Sequence, residues 1–472
     1  MSGPLSPRDM TASGLCTGCG SCAAMTGPAD ARLDWDVEGQ LKPAAPEGWR
    51  RERSARFSRL CPFSPSARDE DEIAQQRFPG APEQDPWIGR FAAAYVGHAA
   101  ERDYRDRGSS GGMVSWVAAE LLRAGLVDGV AHVVRADPAA EGRLFRYSIS
   151  RSRDALMEGA QSRYYPVEMS AILREMRDVP GRYAIVGIPC FIKAVNLAML
   201  DDPLLRERVA FTLGLVCGHM KSRQMVDSFA WQMGLDPAAV AAVDYRVKDA
   251  SRPANWYRAR LAARDGEERQ QDWWHLVDGD WGSGFFQNRA CDYCDDVVAE
   301  TADISFGDAW VEPYSSDGRG TNVVVVRSPV LHRLVQAAMG EGRLALQPVD
   351  AAFIRETQAA GFRQRRDGLA YRLAWRRTGV KPRKRIQPSA SHLGWRRKLI
   401  YRLRHRISRG SSTAFRAAHA LGRPGLFLSW GRVMVTLYHG LTYSRGWLGR
   451  MFDRAERLLG KEGKGVNISR SG

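Results

Sequence analysis

The 472-residue chain reads as an α/β protein with α+β elements. It divides into a ferredoxin-like amino-terminal segment rich in cysteine, a central α/β body and a basic helical carboxy-terminal tail. Three observations predict this. Short apolar runs of strand length alternate with helix-length stretches through the middle of the chain. Four of the eight cysteines fall within the first 61 residues, three of them in one tight run. Between Asp367 and Asp453 there is no acidic residue, while 19 lysines and arginines occur there. A hydrophobic content of 44% is enough for a sizeable core, and the length corresponds to about two or three domains.

Residues 1–68 form the cysteine-rich segment, with a hairpin element over Leu33-Asp-Trp-Asp-Val-Glu-Gly-Gln40. Residues 69–90 place Pro79, Pro82 and Pro86 among charges and read as a linker. In 91–180, Gly108-Ser-Ser-Gly-Gly112 opens a helix with apolar residues at Val114, Val117, Ala118, Leu121 and Leu122, followed by a strand from Gly129 to Val134. In 181–355 the strand Arg182–Gly187 runs into a helix over Phe191–Leu200. The strand Val209–Val216 then precedes a helix from about Ser222 to Met233, and strands at Asp303–Phe306 and Asn322–Arg327 close the body. Residues 356–472 are the tail, added after the sheet ends near Val349.

The cysteines fall into two sets of four with none left over. The first is Cys16-Thr-Gly-Cys19-Gly-Ser-Cys22 with the distant Cys61-Pro62. A C-x2-C-x2-C loop wraps a 4Fe-4S cube with three thiolates, a remote Cys-Pro supplies the fourth, and Gly18 and Gly20 permit the turns. The alternative is zinc, but zinc knuckles favour paired C-x2-C units or a histidine partner, and no histidine lies near this segment. The second set is scattered: Cys190 after Ile-Pro, Cys217 before Gly-His, and the pair Cys291-Asp-Tyr-Cys294. Cys190 and Cys217 follow strands, which in an open α/β sheet places them at the ligand-binding crevice. The alternative is a pair of buried core thiols, a common fate of cysteine. Without a secretory leader at the amino terminus, cysteines in ligand spacing point to a reducing cytoplasm rather than to disulfides.

Other residues invite two readings. The first-turn amides of the helix after Ser109, Ser110, Gly111 and Gly112 form an anion site, and the two serines can contact phosphate or simply cap the helix. His219 and Lys221, just past Cys217, are the candidate catalytic pair; a histidine of ordinary pKa, about 6.5, delivers a proton near neutrality. The plain alternative is that His219 caps a helix or hydrogen-bonds cluster sulfide. The aromatic stretch Trp273, Trp274, Trp281, Phe285 and Phe286 reads as core before it reads as a substrate platform.

The charge is confined to the tail. Removing its 19 cations from the formal +16 leaves −3 for the rest of the chain. Trp395, Leu399, Leu403 and Ile407 recur near helical period among arginines, a pattern suited to an anionic membrane surface or a partner protein. A solvated tail is the plain alternative, and nucleic acid the weaker rival. Leu426–Tyr443 is apolar but broken by Arg432 and His439, which makes a poor membrane span.

Taken in order, C-x2-C-G-x-C…C-P, G-S-S-G-G-M-V-S, L-V-D-G-V, Q-S-R-Y, G-I-P-C, G-L-V-C-G, C-D-Y-C-D, A-D-I-S-F-G-D and G-T-N-V-V-V-V-R resemble the coenzyme F420 hydrogenase/dehydrogenase beta-subunit family. The resemblance runs from about Leu15 to Val349, roughly two thirds of the chain. It implies two 4Fe-4S clusters and FAD, with Cys190, Cys217, Cys291 and Cys294 as ligands of a cluster near flavin. It further implies flavin contacts at the Ser109–Gly112 turn and at Gln161, Ser162, Arg163 and Tyr164, with weaker candidates at Asp308, Thr321 and Asn322. The family usually carries lysine at the Arg163 position, and arginine keeps the charge but neither the reach nor the acidity. Relatives include deazaflavin-reducing subunits, ferredoxin-dependent chlorophyll-type reductases and proteins of polysaccharide gene clusters.

Two functions follow from this resemblance. In one, a cytoplasmic reductase, peripheral to the inner membrane face through its tail, takes electrons from a ferredoxin-like or deazaflavin carrier and passes them through clusters and FAD to an organic substrate. In the other, a non-catalytic adaptor subunit relays electrons within a larger complex. A homo-oligomer is a further expectation.

Overall fold

Eight apolar, β-branched-rich runs pair into one mixed sheet in the computed structural model, which describes residues 3–27, 30–376 and 379–458. In chain order they are β1 (Ala93–Ala99), β2 (Gly129–Arg135), β3 (Phe145–Ser150), β4 (Tyr183–Gly187), β5 (Val209–Leu215), β6 (Ile304–Asp308), β7 (Asn322–Val326) and β8 (Leu344–Val349). The spatial order is β8-β1-β7-β6-β5-β4-β2-β3. Pairing is parallel from β6 through β5 and β4 to β2, and antiparallel at both flanks. Strands β4 and β7 are buried along their whole length, as two-sided coverage demands, and that is why they read as unbroken apolar runs.

The side-chain alternation of the strands divides the core. Val130, Ala184 and Val186 meet the helices Met113–Arg123 and Pro329–Gly340 on one face. Their neighbours Ala131, Tyr183 and Ile185 point the other way, towards the helix Pro189–Asp201 and the amino-terminal segment. The carboxyl ends of β2, β4, β5 and β6 share one edge because these strands are parallel, and that edge carries the site.

Residues 69–90 do not form the expected linker. They fold into a helix, Glu70–Arg77, and a hairpin, Glu83–Asp85 with Gly89–Phe91. Ile73 and Ala74 are buried, and the Glu70 carboxylate pairs with Lys193 Nζ at 3.0 Å inside the protein. The prolines that suggested a spacer sit in the turns of an ordered element.

The tail differs more. Helices Trp395–Ala420 and Pro424–Tyr443 pack against the helix Gln224–Met233 and a three-stranded sheet, Val240–Asp244, Arg258–Ala263 and Glu268–Asp272. Ile400, Leu403 and Ile407 are buried there, and Phe415 and Phe427 meet Phe286 at ring separations of 5.7 and 5.5 Å. Each such side chain contributes about 1.5–3 kcal/mol by leaving water. The apolar stripe read as a membrane face is therefore largely spent on the body, with Leu399 left exposed. Among the described residues, no helix is long and apolar enough to cross a membrane. Tail cations are committed inward as well: Lys384 Nζ meets Asp295 Oδ1 at 2.8 Å and Arg385 forks onto Glu300 at 2.6 and 2.8 Å. A separate basic module would have left them in solvent.

Candidate cluster and cofactor site

The first cysteine set is built by a loop that glycine makes possible. Gly18 and Gly20 take φ of +75° and +84°, and a Cβ on either would lie 2.3 Å from the Leu41 carbonyl oxygen or 2.5 Å from Glu168 Oε2. Cys22 follows on the short helix Ser21–Ala24, and Cys61 ends the helix Ala55–Leu60. The four cysteines line one small cavity of about 30 Å³, walled by Met10, Leu33, Phe57, Leu60 and Pro62. Cys16, Cys22 and Cys61 remain partly exposed.

The second set is assembled from three stretches of chain. Cys190 lies in the first turn of the helix after β4, Cys217 two residues past β5, and Cys291 and Cys294 at the 3-10 turn Arg289–Tyr293. Met220 ties them together: its sulfur is 4.0 Å from Cys190 Sγ and its amide donates to Cys291 Sγ at 3.3 Å. The two sets adjoin. Cys19 and Cys190 share one buried cluster of side chains, and Cys19 helps to raise the Cys190 pKa.

All eight thiols are free. Burial is the main force that pushes Cys19 and Cys291 up to about 11 and Cys217 up to about 12, with Cys22, Cys61 and Cys190 also raised. Neighbouring thiols add to the rise. Thiols held protonated by burial are not reactive surface cysteines. Among the described residues, no three or more His, Cys, Asp or Glu side chains are grouped as ligands of a single metal ion. A cubic cluster differs from zinc in this respect, because it gives each thiolate its own iron.

At the sheet edge lies a cavity of about 1140 Å³, larger than the ~300–1,000 Å³ of an ordinary small-molecule site. The structure brings Ser109, Ser110, Gly112, Gln161, Ser162, Arg163, Tyr164, Asp308, Asn322, His219, Lys221 and Cys217 to its walls. Gly111 lies behind the wall against Asn322 and Gly97, and Thr321 is likewise off the lining. Cys190 faces the core instead of the cavity, so the expectation that both strand-end cysteines share the crevice holds for Cys217 alone.

The polar residues divide into those that hold the wall and those left open to a ligand. Ser109 and Ser110 do not cap the helix: Ser109 Oγ accepts from the Ser162 amide at 2.7 Å, and Ser110 Oγ donates to the Thr321 carbonyl at 3.0 Å. Asn322 accepts from the Met113 amide at 3.1 Å and donates to the Gly307 carbonyl at 2.9 Å. Asp308 is locked in a two-pronged pair with Arg246 at 3.0 and 3.1 Å. Left open are Val114 and Ser115, which line the cavity at the first turn of their helix, where backbone amides lack intrahelical partners. Arg163 lies over the Phe145 ring at 5.0 Å, donates to Gln161 Oε1 at 3.1 Å and pairs with Asp244 at 3.7 Å, so it too is held by the wall. Gln161 takes φ +118°, a strained conformation of the kind that collects at ligand sites.

His219 does not take the role expected of it. The His219 ring stacks on Trp281 at 4.4 Å, and Arg404 faces its Nδ1 at 3.4 Å. Since guanidinium only donates, Nδ1 accepts and Nε2 carries the hydrogen; Nε2 is buried without a partner. Burial, aided by Lys221, Arg404 and Arg365, holds its pKa well below 6.5, so it is a neutral donor and not the proton-delivering imidazolium expected from its ordinary pKa. Lys221, whose Nζ donates to the Phe285 carbonyl at 2.7 Å and sits 4.7 Å from the Trp281 ring centre, is lowered by burial to about 7. The aromatic stretch splits: Trp273, Phe285 and Phe286 are core, whereas Trp274 and Trp281 line the cavity.

Sequence reasoning missed the contribution of the chain beyond 355. Glu356, Gln358 and Arg363 line the cavity, Arg365 lies beside the second set, and Arg404 reaches His219. The helical stripe at Trp395, Leu399, Leu403 and Ile407 was the available signal, but a stripe does not name what it packs against.

Comparison with known proteins places these features. Residues 94–174 match the amino-terminal part, and residues 181–352 the carboxy-terminal part, of the family described as coenzyme F420 hydrogenase/dehydrogenase, beta subunit. A comparison with curated proteins finds no match. Among solved structures, a chain from the xenon-derivatised F420-reducing NiFe hydrogenase complex of Methanosarcina barkeri is similar, with 17% identity and a TM-score of 0.48; the similarity covers 64% of this chain and 99% of that one. The two matched segments together span more than half of the sequence, and the chain belongs to the coenzyme F420 hydrogenase/dehydrogenase beta-subunit family.

Proposed function

We propose that this chain is an iron–sulfur flavoprotein oxidoreductase. It takes single electrons in at Cys16, Cys19, Cys22 and Cys61, holds a second 4Fe-4S cluster on Cys190, Cys217, Cys291 and Cys294, and binds FAD in the adjoining cavity. The observation that carries this reading is the position of Cys217, which belongs to the second set and also lines the cavity. The first set adjoins the second through Cys19 and Cys190, which share one buried cluster of side chains.

The residues present suit such a load. The open first turn of the helix Met113–Arg123 offers backbone donors to a pyrophosphate, with Arg163, paired to Asp244, lining the same cavity. When bound, flavin supplies the junction between one- and two-electron chemistry. The protein's own part is to position and protonate. Trp281 and Tyr164 form an aromatic wall beside the neutral His219, and Lys221 holds at Nζ a proton whose pKa of about 7 suits a general acid. Asp308, bound by Arg246, shapes the wall and does not serve as a free ligand. The acceptor is an organic molecule. Its place in polysaccharide biosynthesis, and a ferredoxin-like or deazaflavin carrier as donor, rest on the resemblance alone.

Anaerobic purification with iron, sulfide and flavin quantified together tests this. About eight irons per chain and one FAD are expected, from two cubes of four irons. Stoichiometric zinc with no broad visible absorption would overturn it. Turnover by the isolated chain with dithionite favours the reductase, and activity only within a complex favours an adaptor.

A further inference from the structure

The helix Ala359–Arg365 begins after residue 352, where the second family-matched segment ends. Its last residue, Arg365, is 3% exposed. Burying a guanidinium is costly unless its charge is met. Among the described residues no carboxylate lies within ion-pair distance of Arg365, although other basic side chains around it are so paired: Arg366 with Glu300, Arg372 with Asp292, Lys384 with Asp295. Its NH2 instead donates to the carbonyls of Cys217 and Gly218, at 2.9 and 2.7 Å. The charge lies beside all four thiols of the second set, Cys190, Cys217, Cys291 and Cys294. The interior thus holds a cation that, among the described residues, has no carboxylate in ion-pair distance and interacts with the thiols of the second set.

The first set is arranged differently. There Lys42, which is half-buried, donates to the Cys16 carbonyl at 2.5 Å. A cation open to water is screened, whereas one sealed in the interior keeps its field. Reduction adds one negative charge to a cluster, so a sealed cation favours the reduced state and raises the potential.

We propose that Arg365 is the built-in counter-charge of the second cluster and sets its reduction potential above that of the first. This rests on the reading of both cysteine sets as cluster ligands. One electron then leaves the first cluster, oxidising it by one, and reduces the second by one. No bond or proton moves, and the direction is inward, towards the cavity.

The test is a dithionite titration of the anaerobic holo-protein followed by electron paramagnetic resonance, with Cys19→Ser, which keeps only the second cluster, assigning the two transitions. The second is expected at the more positive potential. Arg365→Gln, with iron and sulfide at the wild-type level, should move the second transition to more negative potential and leave the first in place. Arg365→Lys, which keeps the charge, should move it less. A Gln variant with full iron and an unmoved second transition overturns the proposal, as do equal shifts from Lys and Gln. If the Gln variant does not assemble, the order of the two wild-type transitions decides, and a second cluster below the first overturns the proposal. Wild-type protein without iron would instead remove the cluster reading itself.

Discussion

The two cysteine sets solve the same problem with opposite means. The first draws three thiols from seven consecutive residues and needs only Cys61 from elsewhere, so its geometry is a property of a loop with glycines at two left-handed positions. The second gathers Cys190, Cys217 and the Cys291/Cys294 pair from the edge of a folded sheet and the loop packed on it. It is surrounded by charge supplied from far along the chain: Arg365, Arg372 beside Asp292, and Lys384 beside Asp295. A local site can form early and sit near the surface. A dispersed site exists only when the whole sheet and the tail are in place, and that dependence lets it share a wall with the large cavity.

The largest effect that separates them is cofactor content. Cys19→Ser should lower iron from about eight to about four per chain while leaving flavin bound; Cys291→Ser should lose the same iron and flavin occupancy as well. Parallel iron, sulfide and flavin assays check this, and the opposite pattern would reverse the assignment of clusters to regions. Next in size is the tail's grip on the second set. Lys384 and Asp295 are almost fully buried, and Lys384→Met leaves Asp295 only its longer pair with Arg385 at 3.5 Å, which should cost about 1–3 kcal/mol in denaturant unfolding. The second cluster should be lost before the first as that variant is warmed, read from the separate signals of the two.

The smallest effect is a pH dependence that only the second region should show. His219 is buried beside it, whereas the first 97 residues contain no histidine. The folded pKa of His219 is depressed, chiefly by burial, below the ordinary histidine value of 6.5. As pH falls below 6.5 the unfolded chain gains a proton that the native one refuses. The histidine's stability contribution is therefore present above that value and lost below it, with a slope of up to about 1.4 kcal/mol per pH unit. His219→Gln should flatten this part of the stability profile, measured by unfolding between pH 5 and 7. An unchanged slope would mean that His219 already binds its proton in the native state.

Much of this protein is written locally. The strands β4, β5 and β7 announce themselves because two-sided burial demands unbroken apolar runs. The Cys16–Cys22 loop is legible because its cysteine spacing and its glycines lie within seven residues, and the motifs inside residues 94–174 and 181–352 carry the family. What sequence alone left open concerns partners. The stripe at Trp395, Leu399, Leu403 and Ile407 marked one face of a helix, yet a periodic pattern fixes a face and not its occupant. Only the tertiary fold decides that the occupant is the body itself, that Asp308 is bound by Arg246, that His219 stays neutral, and that Arg365 meets four thiols with no carboxylate beside it. Burial and the placing of charges distant in sequence set these outcomes, because removal from water turns a titratable side chain's neighbours into its chemistry.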